Sequence, residues 1–131
     1  MKKTLLCYLA QNGYEPAEWR KNTYTKNISG TYICISQIEK PTAQDKNWAR
    51  NNDIKLPKTP YYEITRVVGM AYDETYIIKK MGEAVALLVY LQHKAENPSP
   101  QDIADISGST NRFMDMANNI AGYERFRHPD I

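Results

Sequence analysis

The sequence predicts a predominantly helical α+β domain, with a small N-terminal strand region packed on a C-terminal helical bundle. Three observations predict it. β-Branched and aromatic residues concentrate over 31–38, apolar residues recur every three or four positions through much of the second half, and Pro and Gly mark helix boundaries there. At 131 residues the chain is long enough for one self-sufficient core and too short for two ordinary domains. We expect a single domain over 1–131, with a mixed α/β basic part at 1–58 and a helical acidic part at 59–131.

Each element has its own reason. Leu5 to Leu9 reads as a buried strand, with a short helix as the alternative. Glu15-Pro16-Ala17-Glu18-Trp19-Arg20-Lys21 suits a short helix, with Pro early and basic residues late. Thr31 to Ile38 is a strand by composition, preceded by the turn-like Asn27-Ile28-Ser29-Gly30. Thr42 can cap a helix through Asp45, Trp48 and Ala49 that closes at Asn51-Asn52. Ile54 to Lys58 runs extended before and after Pro57. Thr59-Pro60 then predicts a helix start, with Tyr61, Ile64, Val67, Val68 and Ala71 on one face. Asp73 restarts the chain into a long helix over about 74–96, whose buried stripe includes Ile77, Met81, Leu88, Leu91 and Ala95. Asn97-Pro98 ends it, and Ser99-Pro100 opens a short helix through Gln101, Ile103, Ala104 and Ile106. Ser107-Gly108 is a turn, and Ser109 caps a last helix to about Ala121.

Composition narrows the function. The 17 Lys and Arg nearly balance 15 Asp and Glu, which excludes a histone-like polycation and a strongly acidic nucleic-acid mimic. The balance is a cancellation: residues 1–59 carry ten basic and five acidic side chains, residues 60–131 seven and ten. The apolar stretch after Lys2-Lys3 is short, is broken by Gln11-Asn12-Gly13 and lacks a cleavage site, so it is not read as a signal peptide. The longest apolar run, Ala84 to Leu91, has eight residues, far below the ~20 of a membrane helix. A soluble, cytoplasmic protein is expected. Cys7 and Cys34 lack C-x-x-C spacing and a nearby His, so they are read as free buried thiols, with no metal and no cofactor implied. Ten Tyr against two Phe are assigned mostly to the core with hydroxyls reaching the surface. This core reading applies especially to Tyr61, Tyr62, Tyr72, Tyr76 and Tyr90, and a minority of the tyrosines is reserved for a binding face.

One motif stands out. Ile103-Ala104-Asp105-Ile106-Ser107-Gly108, followed by a polar cap and helix, resembles the helix-turn-helix of winged-helix-like bacterial and phage regulators, over residues ~82–127. The geometry behind the pattern is a small Ala104 at the helix crossing and a Gly108 free to adopt positive φ in the turn. The resemblance implies DNA binding and transcriptional control by a bacterial or mobile-element protein. Thr110, Asn111, Arg112 and Met116 would then face outward, Arg112 reading guanine, Asn111 adenine, with Gln101 and Thr110 near phosphates. The positive charge for the backbone must come from the first half, with Tyr14, Tyr24 or Tyr32 alongside.

Two alternatives compete. A non-enzymatic inhibitor or adaptor would act by occluding a protein target. Met114-Asp115-x-x-Asn118-Asn119-x-x-Gly122 resembles the MDxxNNxxG string of some polymorphic-toxin domains, which implies a hydrolytic site of His93, Asp115 and Asn119, with Glu96 nearby. We expect no enzyme, a DNA or protein partner, no membrane, and an oligomeric state left open, homodimer included.

Overall fold

Five antiparallel strands form one meander, in the sheet order β1-β2-β3-β4-β5. In the computed structural model, which describes residues 1–69 and 72–108, the elements are α1 (Lys3–Gln11), β1 (Glu15–Pro16), β2 (Thr23–Ile28), β3 (Thr31–Ile38), α2 (Ala43–Asn51), β4 (Tyr61–Val68), β5 (Tyr72–Ile78) and α3 (Met81–Glu96). Residues 100–108 are helical as well. The expected fold class is corrected: the molecule is α+β around a full sheet, and the strands are not a small N-terminal region. Nor is the part from residue 59 onward all helical, since β4 and β5 lie in it.

The error has a physical cause. In 61–68, Tyr61, Ile64 and Val68 match a helical stripe, but the same residues also alternate. Tyr62, Ile64, Arg66 and Val68 are buried on one face, while Glu63, Thr65 and Val67 are half-buried on the other. Tyr, Ile, Thr and Val fill most of β4 and much of β5, which suits a pleated surface better than a helix. Cross-strand pairing decided the ambiguity: every β4 residue has a partner on β3, from Thr31↔Val68 to Ile38↔Tyr61. Asp73 therefore sits within β5, and the long helix expected from 74 begins only at Met81.

Two further local expectations change. Leu5 to Leu9 is helical: Leu5 and Leu9, four residues apart, are buried while Cys7 between them is exposed, a helical period. The 15–21 segment is not a helix. Glu15 and Pro16 pair with Thr25 and Tyr24, and the Ala17 N–H donates to Thr23 O at 2.9 Å. Pro16 has no N–H to give, which an edge strand tolerates. The chain then turns through 18–22, carrying Trp19 and Arg20 to the surface. By contrast β3 spans the expected residues, α2 has Thr42 as its N-cap, and α3 ends at Asn97.

The core lies between one sheet face and the pair α1 and α3. Leu5, Leu9, Ala84, Leu88, Leu91 and Ala95 from the helices meet Ile33, Ile35, Tyr62 and Ile64 from the sheet. The helix at 100–108 starts as its sequence signal implies, with the Asp102 N–H donating to Ser99 Oγ at 3.1 Å. It stays helical through Ser107 and Gly108, so the expected turn is not there, and Gly108 is not among the glycines of positive φ. This helix is tied to the sheet at two points. Asp102 pairs with Arg66 at 3.3 Å, and Ile106 packs on Gly30.

Gly30 is demanded twice. It closes the β2–β3 hairpin with Ser29, the pair having φ of 90° and 47°, the signature of a two-residue turn matched to strand twist. A Cβ there would also stand 2.9 Å from Ile106 Cγ2. Gly30→Ala is expected to cost about 1–2 kcal/mol from backbone conformation alone, and more from the contact. Urea unfolding checks the total; a loss below that range would show that the turn relaxes.

Candidate functional site

The second sheet face is only partly covered. Strand alternation places Cys34, Ser36 and Ile38 of β3 there, opposite Thr65, Glu63 and Tyr61 of β4. Beyond them on β5 lie Thr75 and Ile77, opposite Thr65 and Glu63. Much of this floor is hydroxyl-bearing, and the hydroxyls pair: Thr23 with Ser36 at 2.7 Å and Thr65 with Thr75 at 3.1 Å. Burial pushes the Cys34 thiol up to about 11, against a hydrogen bond with Ser36 that lowers it. A thiol held protonated in this way is a poor nucleophile.

Two walls rise from the floor. One is α2, started by a reciprocal capping box: the Asp45 N–H donates to Thr42 Oγ1 at 3.1 Å, and the Thr42 N–H donates to Asp45 Oδ2 at 2.9 Å. The other is the turn after β1. Arg20 reaches from that turn and gives Asp45 a hydrogen bond to each oxygen, at 3.0 and 2.8 Å. Asp45 thus serves as helix cap and as anchor for the turn. Burial raises its pKa, but the Thr42 and Arg20 hydrogen bonds outweigh that and hold it below the ordinary 3.8. Its stabilisation is present above that unfolded value and lost as pH falls through the lower folded one.

Between the walls lies an open cleft of about 360 Å³, bordered by Trp19, Arg20, Asp45, Trp48, Glu63 and Asp73. Trp19 is 65% exposed and Trp48 half-buried. Glu63 is the least settled group. Its one ionic neighbour among the described residues is Arg20, whose Nη1 stands 3.8 Å away while its Nη2 binds Asp45, and the Glu63 carboxylate receives no hydrogen bond from a described residue. Burial raises its pKa above 4.5, Arg20 opposes this, and Asp45 adds to it. Tyr61 lies close enough to feel Asp45, Glu63 and Arg20, is fully buried, and its hydroxyl has no partner among the described residues.

Glu63 therefore costs the folded state free energy when ionised. The penalty is absent below its unfolded value near 4.5 and complete above the higher folded one. Glu63→Gln is expected to unfold at the same or a slightly higher temperature at neutral pH, with the difference vanishing in acid. Thermal melts at both pH values check this. A markedly less stable variant would mean that Glu63 has a structural partner.

The sequence-derived site residues fare unevenly. Gln101 is exposed on the 100–108 helix and donates to Asp105 Oδ1 at 2.9 Å. Thr110, Asn111, Arg112, Asp115, Met116 and Asn119 lie outside the described residues, so neither the recognition surface nor the convergence of His93 with Asp115 and Asn119 is tested. His93 is exposed in the last turn of α3, its Nδ1 3.4 Å from Asn97 Nδ2. Ala104, the expected crossing point, is exposed. Of the Tyr residues, Tyr14, Tyr61 and Tyr62 are buried and Tyr90 is exposed. The Tyr61 and Tyr14 hydroxyls do not reach the surface. Cys7 is exposed rather than buried, and both thiols are free.

Sequence reasoning missed the cleft. Its signals were the Thr42-x-x-Asp45 box, which fixes where Trp48 points, and the acidic residue breaking the apolar run of β4. No local pattern links Arg20 to Asp45, 25 residues away.

Among the described residues no group of three His, Cys, Asp or Glu side chains is placed to hold a metal ion. No described helix is long and apolar enough to cross a membrane. Compared with known families, curated proteins and solved structures, the chain matches none.

Proposed function

We propose that this chain is a non-catalytic protein-binding module that acts by occlusion, docking on a basic surface of its target through the cleft between Trp19 and Trp48. Trp19 carries the proposal. A tryptophan that is 65% exposed keeps a large apolar surface in water, and tryptophan dominates binding hot spots out of proportion to its frequency. It stands beside a partly open sheet face, and a second Trp, Trp48, also borders the cleft. One cation, Arg20, and three carboxylates, Asp45, Glu63 and Asp73, border the cleft, so its charge complements a basic partner. Of the cleft's carboxylates, Asp45 is taken up by Arg20 and by the cap of α2.

The DNA-binding expectation draws less from the described residues. The 100–108 helix carries Asp102 and Asp105 and no Lys or Arg, so it gives a phosphate backbone no cation. The test separates the two. A photo-crosslinking residue at Gln44, beside the cleft, captures the target, which is then purified and titrated. We expect an equimolar complex that weakens on the order of 30-fold or more in Trp19→Ala, the loss of a hot spot, and is unchanged in Gln101→Ala. A complex indifferent to both Trp19→Ala and Trp48→Ala would overturn the proposal. Low-salt DNA binding abolished by Asn111→Ala with Arg112→Ala would establish the regulator instead.

A further inference from the structure

We infer that the cleft receives a single arginine side chain of the partner, its guanidinium paired with Glu63 and stacked against the tryptophans; this rests on the docking role proposed above. The fold accounts for Arg20 and Asp45 without Glu63. Arg20 Nη2 donates to both Asp45 oxygens, at 3.0 and 2.8 Å, and Asp45 also caps α2. Glu63 adds a half-buried carboxylate that receives no hydrogen bond from a described residue, and the one described cation beside it, Arg20, stands 3.8 Å away. Burying a carboxylate that way is unfavourable unless a partner supplies the missing donors.

The chemistry of the missing donor follows from what surrounds Glu63. It must be cationic, because the groups bordering the cleft sum to one positive and three negative charges. It must donate more than one hydrogen bond, because neither carboxylate oxygen receives one from a described residue. It must also present a flat face, because indole rings border the cleft and bind planar cations through their π-systems. A guanidinium meets all three conditions. An ammonium is a strongly hydrated point charge that meets only the first two. The volume, about 360 Å³, admits one long side chain and sits near the lower end of small-molecule sites, ~300–1,000 Å³.

The experiment titrates isotope-labelled full-length protein with acetyl-Gly-Arg-Gly-amide and follows the two indole N–H resonances by NMR. The neutral citrulline peptide and the lysine peptide serve as comparisons. We expect saturable shifts of both indoles with the arginine peptide, and binding on the order of tenfold weaker or worse, about 1.4 kcal/mol, for citrulline and for lysine. Glu63→Gln, expected to melt no lower than the wild type, should abolish the shifts. Absence of saturation, equal binding of citrulline or lysine, or full binding by Glu63→Gln each overturns the inference. The captured target discriminates between the two levels. A complex lost in Trp19→Ala but kept in Glu63→Gln retains the docking role and removes the arginine. A complex kept in Trp19→Ala, Trp48→Ala and Glu63→Gln removes both.

Discussion

Replacing Arg66 with methionine is expected to cost about 3–5 kcal/mol of unfolding free energy, the usual consequence of removing one member of a buried ionic group. Arg66 lies on the core-facing side of β4 and is 3% exposed. Its Nε donates to Glu74 Oε1 on β5 at 2.7 Å, and its Nη1 to Asp102 Oδ2 at 3.3 Å. Burial works against its charge, but the hydrogen bonds and charges of Glu74 and Asp102 outweigh it and hold its pKa above the ordinary value. The guanidinium is therefore a fixed cation at every accessible pH. Methionine keeps much of the volume and leaves Glu74 and Asp102 without that cation. Urea unfolding gives the total loss, and hydrogen exchange over 100–108 shows whether this helix opens first. The triple variant Arg66→Met, Glu74→Leu, Asp102→Leu tests the cause. It should recover much of the loss, because apolar replacement of a whole buried ionic group is often neutral. A single variant losing less than about 1 kcal/mol would show the pair to be no better than a surface ion pair.

Leu88→Ala is expected to cost about 2–5 kcal/mol. Leu88 lies at the middle of α3, is 0% exposed, and belongs to the cluster that joins α1, α3 and the sheet. Truncation removes the hydrophobic burial of most of the side chain, and α3 is held by sheet and α1 together, so the gap cannot close by a small shift. The neighbouring residue is the control. Val89 is 51% exposed, and Val89→Ala should change stability by no more than about 0.5 kcal/mol. Similar losses at both positions would mean that α3 is rotated about its axis relative to the sheet.

That contrast shows how far a sequence pattern reaches. Between Ala84 and Leu91 the apolar run goes almost all round the helix, yet the three-to-four spacing marks Leu88, Leu91 and Ala95 as the buried stripe, and all three are buried. Leu88 and Val89 are alike in composition, and only the spacing separates them in the sequence. Membership of the cluster that includes Ile33, Ile35 and Ile64 makes one a core residue, and the other stays at the surface. In β4, by contrast, a helical stripe and a strand alternation coexist in eight residues. The competing signal, Thr59-Pro60, is local. The deciding one, pairing with β3 across α2, is not, and it overrode the helix signal.

The candidate cleft was legible in fragments. The capping box at Thr42 and Asp45 follows from spacing alone, and with it the start of α2 and the position of Trp48. The turn that carries Trp19 is not legible locally, because Glu15 to Lys21 satisfies helix preferences. A two-residue edge pairing with β2 overcame them by supplying backbone partners that an isolated short helix cannot secure. The role of Glu63 depends on which face of β4 it occupies, and so on the strand that the sequence pattern had read as a helix.

By itself, then, the sequence determined what depends on neighbouring residues: the strand at Thr31–Ile38, the caps at Thr42 and Ser99, the end of α3 at Asn97, and the split of a near-neutral charge into a basic front and an acidic rear. Tertiary structure decided what depends on residues far apart. It recruited β4 and β5 into the sheet, and it set Arg66 between Glu74 and Asp102. It also brought Arg20, Asp45 and Glu63 to one cleft. In the cleft the charge asymmetry does not hold, because Arg20 and Asp45 from the basic part meet Glu63 and Asp73 from the acidic one. Local propensities are fractions of a kcal/mol per residue, while pairing a strand and burying its face contribute several together. Where the two disagreed, the larger sum won.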